Sequence, residues 1–502
     1  MNNDINFNRG ERVAINEKSE KTGEIAYTRR YVGFHETVAY LFNDVSNSFN
    51  IGGYEDRYKW DVVGIDFKIA ATVNVFTGAW DIINDSIIGV MVDKTRTRWG
   101  KFRPYILGLQ IPITLVAVLY WFIPIFFPGT ATTYVPKLAF WFSLGVVKET
   151  ANTFRDVARG GYMSTITPNP DERGRLIMLA ELLSGNMGED LPNVLMGVLI
   201  DLINNRVVPW KLGNLFIIMG SVTSVLSAAM SFWFTLIARE RVMQRVERPS
   251  IKEGIRAVIN NKPMLLIMLS ELLGDFKISV GRGNYFIDVL GMASLDTIVN
   301  LPSSFNGTIS YAFVQPLRRR FSSKALWVFE DVYTRSLTIL LFLFGMVNHN
   351  YSNRMIMSVL FGTHAFFDKF MFGIRKVIGV ELQNEALDYC EWKNGYRAEA
   401  TISVAKGLVK KIQRVAMDSV YQLVMDRIGY RQQQAFGSQT ANTKRWLFAM
   451  CTGVPAITSV LGVVPKFFYP LSKEIRTRMY NELYERRGIE AAAVNEGSGF
   501  MD

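Results

Sequence analysis

Cysteine and histidine are nearly missing: 502 residues hold two of the first and three of the second. Cys390 lies in a charged stretch and Cys451 in an apolar one. Neither a disulfide framework nor a thiolate metal site can be built from them. His364 has no second histidine placed near it, which argues against a transition-metal site. A phosphate-cradling glycine loop with its lysine is also lacking, so ATP-driven pumping has no support. The first thirty residues are polar and offer no apolar core for a signal peptide. Membrane insertion is therefore expected to rely on the first spans themselves.

Apolar sequence is abundant. The chain is 49% hydrophobic and 13% aromatic, with 34 Phe and 10 Trp, which excludes disorder. Leu107–Ile125, Leu212–Ile237, Ser336–Val347 with its flanks, and Leu447–Val464 approach or reach the roughly 20 residues that cross hydrocarbon. A mean hydropathy of +0.12 is modest for such a chain and implies charged loops and polar-lined helices. The net charge of +11 is spread through short stretches between apolar segments. That distribution fits cytoplasmic loops and argues against nucleic acid as a partner.

The pattern predicts twelve helices, at 31–53, 65–92, 104–127, 136–164, 176–203, 212–237, 264–289, 294–316, 325–347, 353–377, 399–428 and 444–468. With both ends inside, the inner segments are 1–30, 93–103, 165–175, 238–263, 317–324, 378–398 and 469–502, and these carry most of the arginine. The basic linker 238–263 divides six spans from six. The stretch 307–320 repeats, faintly, the glycine, apolar run and basic cluster that end the second span.

The second span holds Asp81, Asn84 and Asp85 inside an otherwise apolar run. A carboxylate at bilayer depth costs about 2.5–3.5 kcal/mol on insertion scales, so an intramembrane acid pair points to function. Asp81 and Asp85 are four residues apart and lie within roughly 40° on one helix face. Two carboxylates and an amide oxygen are hard ligands suited to a monovalent cation, or to a shared proton. The alternative is that one acid only caps or pairs with a neighbouring helix. Asp93, Arg96, Arg98, Lys101 and Arg103 follow, and these can bond helix ends and clamp the inner side.

In span four, Thr153 and Asp156 share a face. Thr153 offers a hydroxyl to the cation and Asp156 can accept from ligand hydroxyls, unless Asp156 pairs with Arg155 or Arg159. Span five carries Glu181, Glu189 and Asp190; span eleven carries Lys406, Lys410, Lys411, Gln413 and Arg414. These two sets can form gates or bind substrate across an aqueous cavity, or the lysines can snorkel at the interface. Glu271 with Asp275, and His364 with Asp368, are further i, i+4 pairs that read as polar helix contacts, with a proton relay as the alternative.

The run Asp81-Ile-Ile-Asn-Asp85, with Gly89 and Asp93-Lys-Thr-Arg-Thr-Arg-Trp-Gly-Lys-Phe-Arg-Pro104, closely resembles the second-helix motif of glycoside–pentoside–hexuronide:cation symporters, a family of the major facilitator superfamily. Thr153-Phe-Arg-Asp156 and the acidic–aromatic stretch Asp388–Glu399 are similar to that family in the same order. The resemblance implies a cation site at Asp81, Asn84, Asp85 and Thr153. It also implies a sugar-binding Asp156 and a pathway Lys411. Departures fall at Tyr40, with Asp44 one turn away, where galactoside transporters have an aspartate. Gly160 stands for a sugar-stacking tryptophan and Glu181 for an arginine. Glu181 argues against an anionic uronide.

The expectation is an all-α membrane protein with the major facilitator fold. A six-helix bundle at 31–237 and another at 264–468 are joined by linker 238–263 and flanked by cytoplasmic segments 1–30 and 469–502. The expected activity is cation-coupled symport of a sugar or glycoside by alternating access, in a bacterial cell membrane. Both termini are cytoplasmic, the protein is a monomer, the coupling ion is Na⁺ or H⁺, and no cofactor is needed. An intramembrane Mg²⁺-dependent prenyltransferase-type enzyme and a non-transporting sugar sensor are the alternatives.

Overall fold

The computed structural model describes residues 30–95, 97, 100–167, 170–237, 258–276, 278–395 and 399–486. Among these, secondary structure is helical apart from an isolated bridge between Thr97 and Gly100. Three helical stretches are long and apolar enough to cross a membrane by composition alone: Arg103–Trp121, Leu212–Ile237 and Ala441–Phe467. The other expected spans carry polar or charged residues that lower their hydropathy. The fold divides into two compact units, Met1–Gly64 with Ala79–Val246, and Ile65–Gly78 with Glu247–Asp502.

The first unit contains α1 (Phe34–Ser48), most of α2 (Phe67–Lys94), α3 (Arg103–Trp121), α4 (Val135–Ile166), α5 (Pro170–Leu183), α6 (Leu191–Asn204) and α7 (Leu212–Ile237). Pro104, Pro136 and Pro192 sit in the first turns of α3, α4 and α6, where their missing N–H costs nothing. A π-helical stretch, Ser184–Asp190, joins α5 to α6. The core packs Tyr40, Ile88, Phe102, Ile106, Ala158, Tyr162 and Phe234. Gly220 lies beneath the Trp121 indole; a Cβ there would fall 2.4 Å from the ring, so this approach of α3 and α7 requires glycine. Arg103 donates to the carbonyls of Thr235 at 2.8 Å and Leu236 at 2.9 Å.

The second unit starts with α8 (Lys262–Gly274), capped by the Asn261 side chain, which accepts from the Met264 N–H at 3.0 Å. The chain is out of the helix at 275–276 and 278–281 and resumes at α9 (Arg282–Tyr285), so the expected span 264–289 is broken near its middle. A glycine pair sits at the break. A Cβ on Gly462 would come 2.7 Å from the Gly274 Cα, and Ser270 Oγ donates to the Gly462 carbonyl at 2.6 Å. Span eight is a series of short pieces: α10 (Leu295–Asn300), α11 (Ser304–Ser310) and α12 (Val314–Arg320). Then come α13 (Ser323–Met346), α14 (Arg354–Asp368), α15 (Phe372–Asn394), α16 (Glu399–Arg427), α17 (Ala441–Phe448), α18 (Val454–Phe467) and α19 (Lys473–Arg486).

Residues 378–394, expected as an inner loop, belong to α15. Its charges suggested a loop, yet Ile374, Ile378, Leu382, Ala386 and Cys390 recur every four residues and bury one stripe in the core of the unit. Gly395, at φ +76°, ends the helix. α19 docks on this extension through Arg476 to Glu385 at 2.8 Å, Tyr480 to Asp388 at 3.3 Å, and Trp392 to Glu482 at 2.6 Å.

Burial pushes the Glu385 carboxyl up to about 7; Glu381 and Asp388 add to the rise, and Arg476 opposes it. The docked state therefore holds a proton that an undocked, solvated Glu385 releases near the ordinary value of 4.5. Docking is strongest below that value and weakens as pH rises towards about 7. Protease cleavage within 473–486 is expected to accelerate between pH 5 and pH 7.5, and Glu385→Gln to flatten that dependence. Cleavage that slows as pH rises would contradict the assignment.

Candidate functional site

The first unit brings the α2 acid segment against α4. Trp80 Nε1 donates to Thr150 Oγ1 at 2.9 Å, one turn before Thr153 Oγ1 reaches Asp81 Oδ1 at 3.4 Å. Asn84 is adjacent to the Asp81 face of α2 and is 3% exposed. Neither its Oδ1 nor its Nδ2 has a hydrogen-bond partner among the described residues. Leaving a buried amide unsatisfied costs about 1–3 kcal/mol per group. Carboxylate, amide and hydroxyl oxygens together suit a small hard cation. Among the described residues no group of three or more His, Cys, Asp or Glu is arranged for a metal ion.

The remaining expected positions separate. Asp156 is two-thirds exposed, and Arg155 Nε approaches it at 3.5 Å. Tyr40 is buried edge-on against Phe234, 5.8 Å between centroids, inside the core. Asp44 lies close enough to Glu181 and Arg159 for all three to interact electrostatically. Arg159 donates to Asn43 Oδ1 at 2.9 Å, Ser46 Oγ at 3.0 Å and Ser231 Oγ at 3.2 Å. Lys101 sits 4.8 Å above the Phe102 ring and Arg103 clamps α7. Arg96, Arg98 and the side chain of Asp93 lie outside the described residues.

Lys411 belongs to α16 of the second unit. Its neighbours Lys406 and Lys410 pair with Glu271 of α8 at 2.7 and 2.6 Å. His364 Nε2 meets Thr338 Oγ1 at 3.1 Å and Asp368 meets Arg375 at 3.0 Å, both polar contacts between elements.

The second unit also holds a charge cluster that hydropathy concealed. Glu330 pairs with Arg375 at 2.5 Å, and Asp331 pairs with Arg335 at 2.9 Å and Lys466 at 2.5 Å. With Glu271 and Asp275, these groups line a cavity of about 190 Å³. Lys466 sits in a run apolar enough to read as plain membrane span, and Glu330-Asp331 sits in the expected span 325–347. Two adjacent acids in that span were the available signal.

A helical bundle carrying an acid–amide–hydroxyl cluster within one unit and buried ion pairs within the other defines a membrane transporter of the major facilitator fold. A family profile described as MFS/sugar transport protein matches residues 23–473, and the chain belongs to that family. It is 21% identical to a glucuronide carrier protein homolog of Escherichia coli (strain K12), over 91% of this chain and 97% of that protein. It is 26% identical to a putative sulfoquinovose importer of Salmonella typhimurium (strain LT2), over 86% and 87% respectively. The solved structure of a D-xylose-proton symporter is similar in fold, with a TM-score of 0.54 at 10% identity, covering 87% of this chain and 96% of that one.

Proposed function

We propose that this protein is a cation-coupled symporter for a sugar or sugar-like solute, with Asp81, Asn84, Asp85 and Thr153 holding the coupling ion. The buried, unpartnered Asn84 amide carries this reading. Two acids one helical turn apart repel when both are ionised, so Na⁺ or H⁺ between them stabilises the loaded state. Binding the ion then favours the substrate-binding conformation. The relatives named for a glucuronide and a sulfonated sugar support a sugar-like cargo, and their transporter names disfavour the enzyme alternative. The reading places a monomer in a bacterial cell membrane with both termini cytoplasmic.

Uptake into vesicles under an imposed Na⁺ or H⁺ gradient tests it. One gradient is expected to drive accumulation of a sugar above its external concentration. Asn84→Leu, close in size but without the amide, is expected to weaken that response at least about tenfold, or about 1.4 kcal/mol. Accumulation indifferent to both gradients would rule out coupling.

A further inference from the structure

α4 presents a second functional line beside the one that carries Thr153. Lys148, Asn152 and Arg155 stand at i, i+4 and i+7, which puts them on one face. That face borders a cavity of about 310 Å³ lined by residues of the first unit. The volume lies at the lower end of small-molecule sites, roughly 300–1,000 Å³.

The polar groups around this cavity are poorly served by the protein. Lys148 Nζ lies 5.1 Å from the Tyr120 ring centroid and has no carboxylate within 4 Å among the described residues. Arg155 reaches Asp156 only at 3.5 Å, and that carboxylate is 66% exposed, so the pair contributes little. Gln110, 5% exposed, lines the cavity with an Oε1 that no donor reaches. Its Nε2 touches Thr114 Oγ1 at the outer limit of 3.5 Å.

The cavity's carboxylate, Glu55, is engaged elsewhere. Lys59 Nζ is 3.3 Å from it and Tyr120 Oη donates to it at 3.0 Å. Burial pushes this carboxyl up, but Lys59, Lys148 and Tyr120 outweigh burial and hold it down at about 2. It stays ionised and its near partners are already in place. The wall thus offers two cations to one satisfied acid, with a free acceptor opposite. Cationic side chains in the middle of a membrane span are costly unless they meet water or an anion.

We propose that this cavity is a binding site for a small hydroxylated anion. Lys148 and Arg155 hold the acidic group, and Gln110 Oε1 and the Asn152 amide meet its hydroxyls. The positive charge missing at Glu181 is supplied here, on α4. As a site for cargo, the assignment rests on the transport reading; as a binding site it does not.

Calorimetry on the full chain in detergent tests it, with matched probes: gluconate against glucitol, glycerate against glycerol, and inorganic sulfate as a bare anion. One of the two hydroxylated anions is expected to bind at least tenfold tighter than both its neutral partner and sulfate. Lys148→Gln and Arg155→Gln are each expected to lose at least tenfold, while Lys148→Arg stays within about threefold and shows that the fold is intact. No anion preference, sulfate matching the hydroxylated anion, or variants binding as wild type would each overturn the site. Anion binding without gradient-driven uptake sinks coupling and leaves the site standing. Gradient-driven uptake of a neutral sugar with no anion binding does the reverse.

Discussion

Asp85→Asn is expected to abolish the response of uptake to an imposed cation gradient while leaving exchange of labelled solute across the membrane measurable. Asp85 and Asp81 share an α2 face, Asn84 is adjacent to it, and Thr153 approaches Asp81 from α4. Converting one carboxylate to an amide removes a negative ligand and the repulsion that an ion or proton relieves. The variant then takes up the loaded conformation without the ion, so the gradient loses its leverage on the conformational equilibrium. Coupled accumulation should fall at least about tenfold, or about 1.4 kcal/mol in ion linkage. Asp81→Asn should act alike. Thr153→Val, which removes one neutral hydroxyl at 3.4 Å, should cost only a few-fold. Sodium- or proton-driven accumulation at wild-type level in Asp85→Asn would sink the assignment of this pair. Loss of exchange as well as accumulation would point to a folding or substrate defect, which size-exclusion behaviour separates.

The α2 acid segment stands out in the sequence because it breaks a pattern: two acids and an amide inside an apolar run have few bland explanations. Thr153 does not. A threonine in a helix says little by itself; it drew notice through the face it shares with Asp156, and the structure sets its hydroxyl beside Asp81. The neighbouring Arg155 was read only as a partner for Asp156. The structure instead aligns it with Lys148 and Asn152 along a cavity, a relation that needs α1, α3 and α7 in place before it is visible. Helix ends fared worse than helices. α15 runs sixteen residues beyond Ile378, through a stretch whose charges outnumber its buried stripe. The break after Gly274 depends on Gly462, nearly two hundred residues away, which no local pattern encodes.

Asp331→Ala is expected to be among the most destabilising single changes in the second unit. Asp331 and Lys466 are 7% and 8% exposed and 2.5 Å apart, and Arg335 shares the same carboxylate at 2.9 Å. Removing Asp331 leaves the buried Lys466 ammonium without its carboxylate beside a half-buried Arg335, and breaking a buried pair this way typically costs about 3–5 kcal/mol. Lys466→Met should cost less, because Arg335 still neutralises Asp331 and the methionine chain can pack against Trp327, now 4.4 Å from the ammonium. The double variant Asp331→Leu, Lys466→Met removes both desolvated charges and should recover much of the loss. Thermal unfolding in detergent should therefore rank wild type and double variant above Asp331→Ala. Irreversible unfolding would turn the readout into a half-life without changing the order. Glu271, Asp275, Glu330, Asp331 and Asp368 stand against Arg335, Arg375, Lys406, Lys410 and Lys466 around or beside the 190 Å³ cavity, five acids to five bases. An even balance with internal space lets pairs exchange partners at little electrostatic cost. A double variant that folds but transports poorly is the expected result, because it keeps the packing and loses the exchange. A double variant as unstable as Asp331→Ala would show instead that the pair contributes to stability directly, and one that transports normally would remove the cluster from the mechanism.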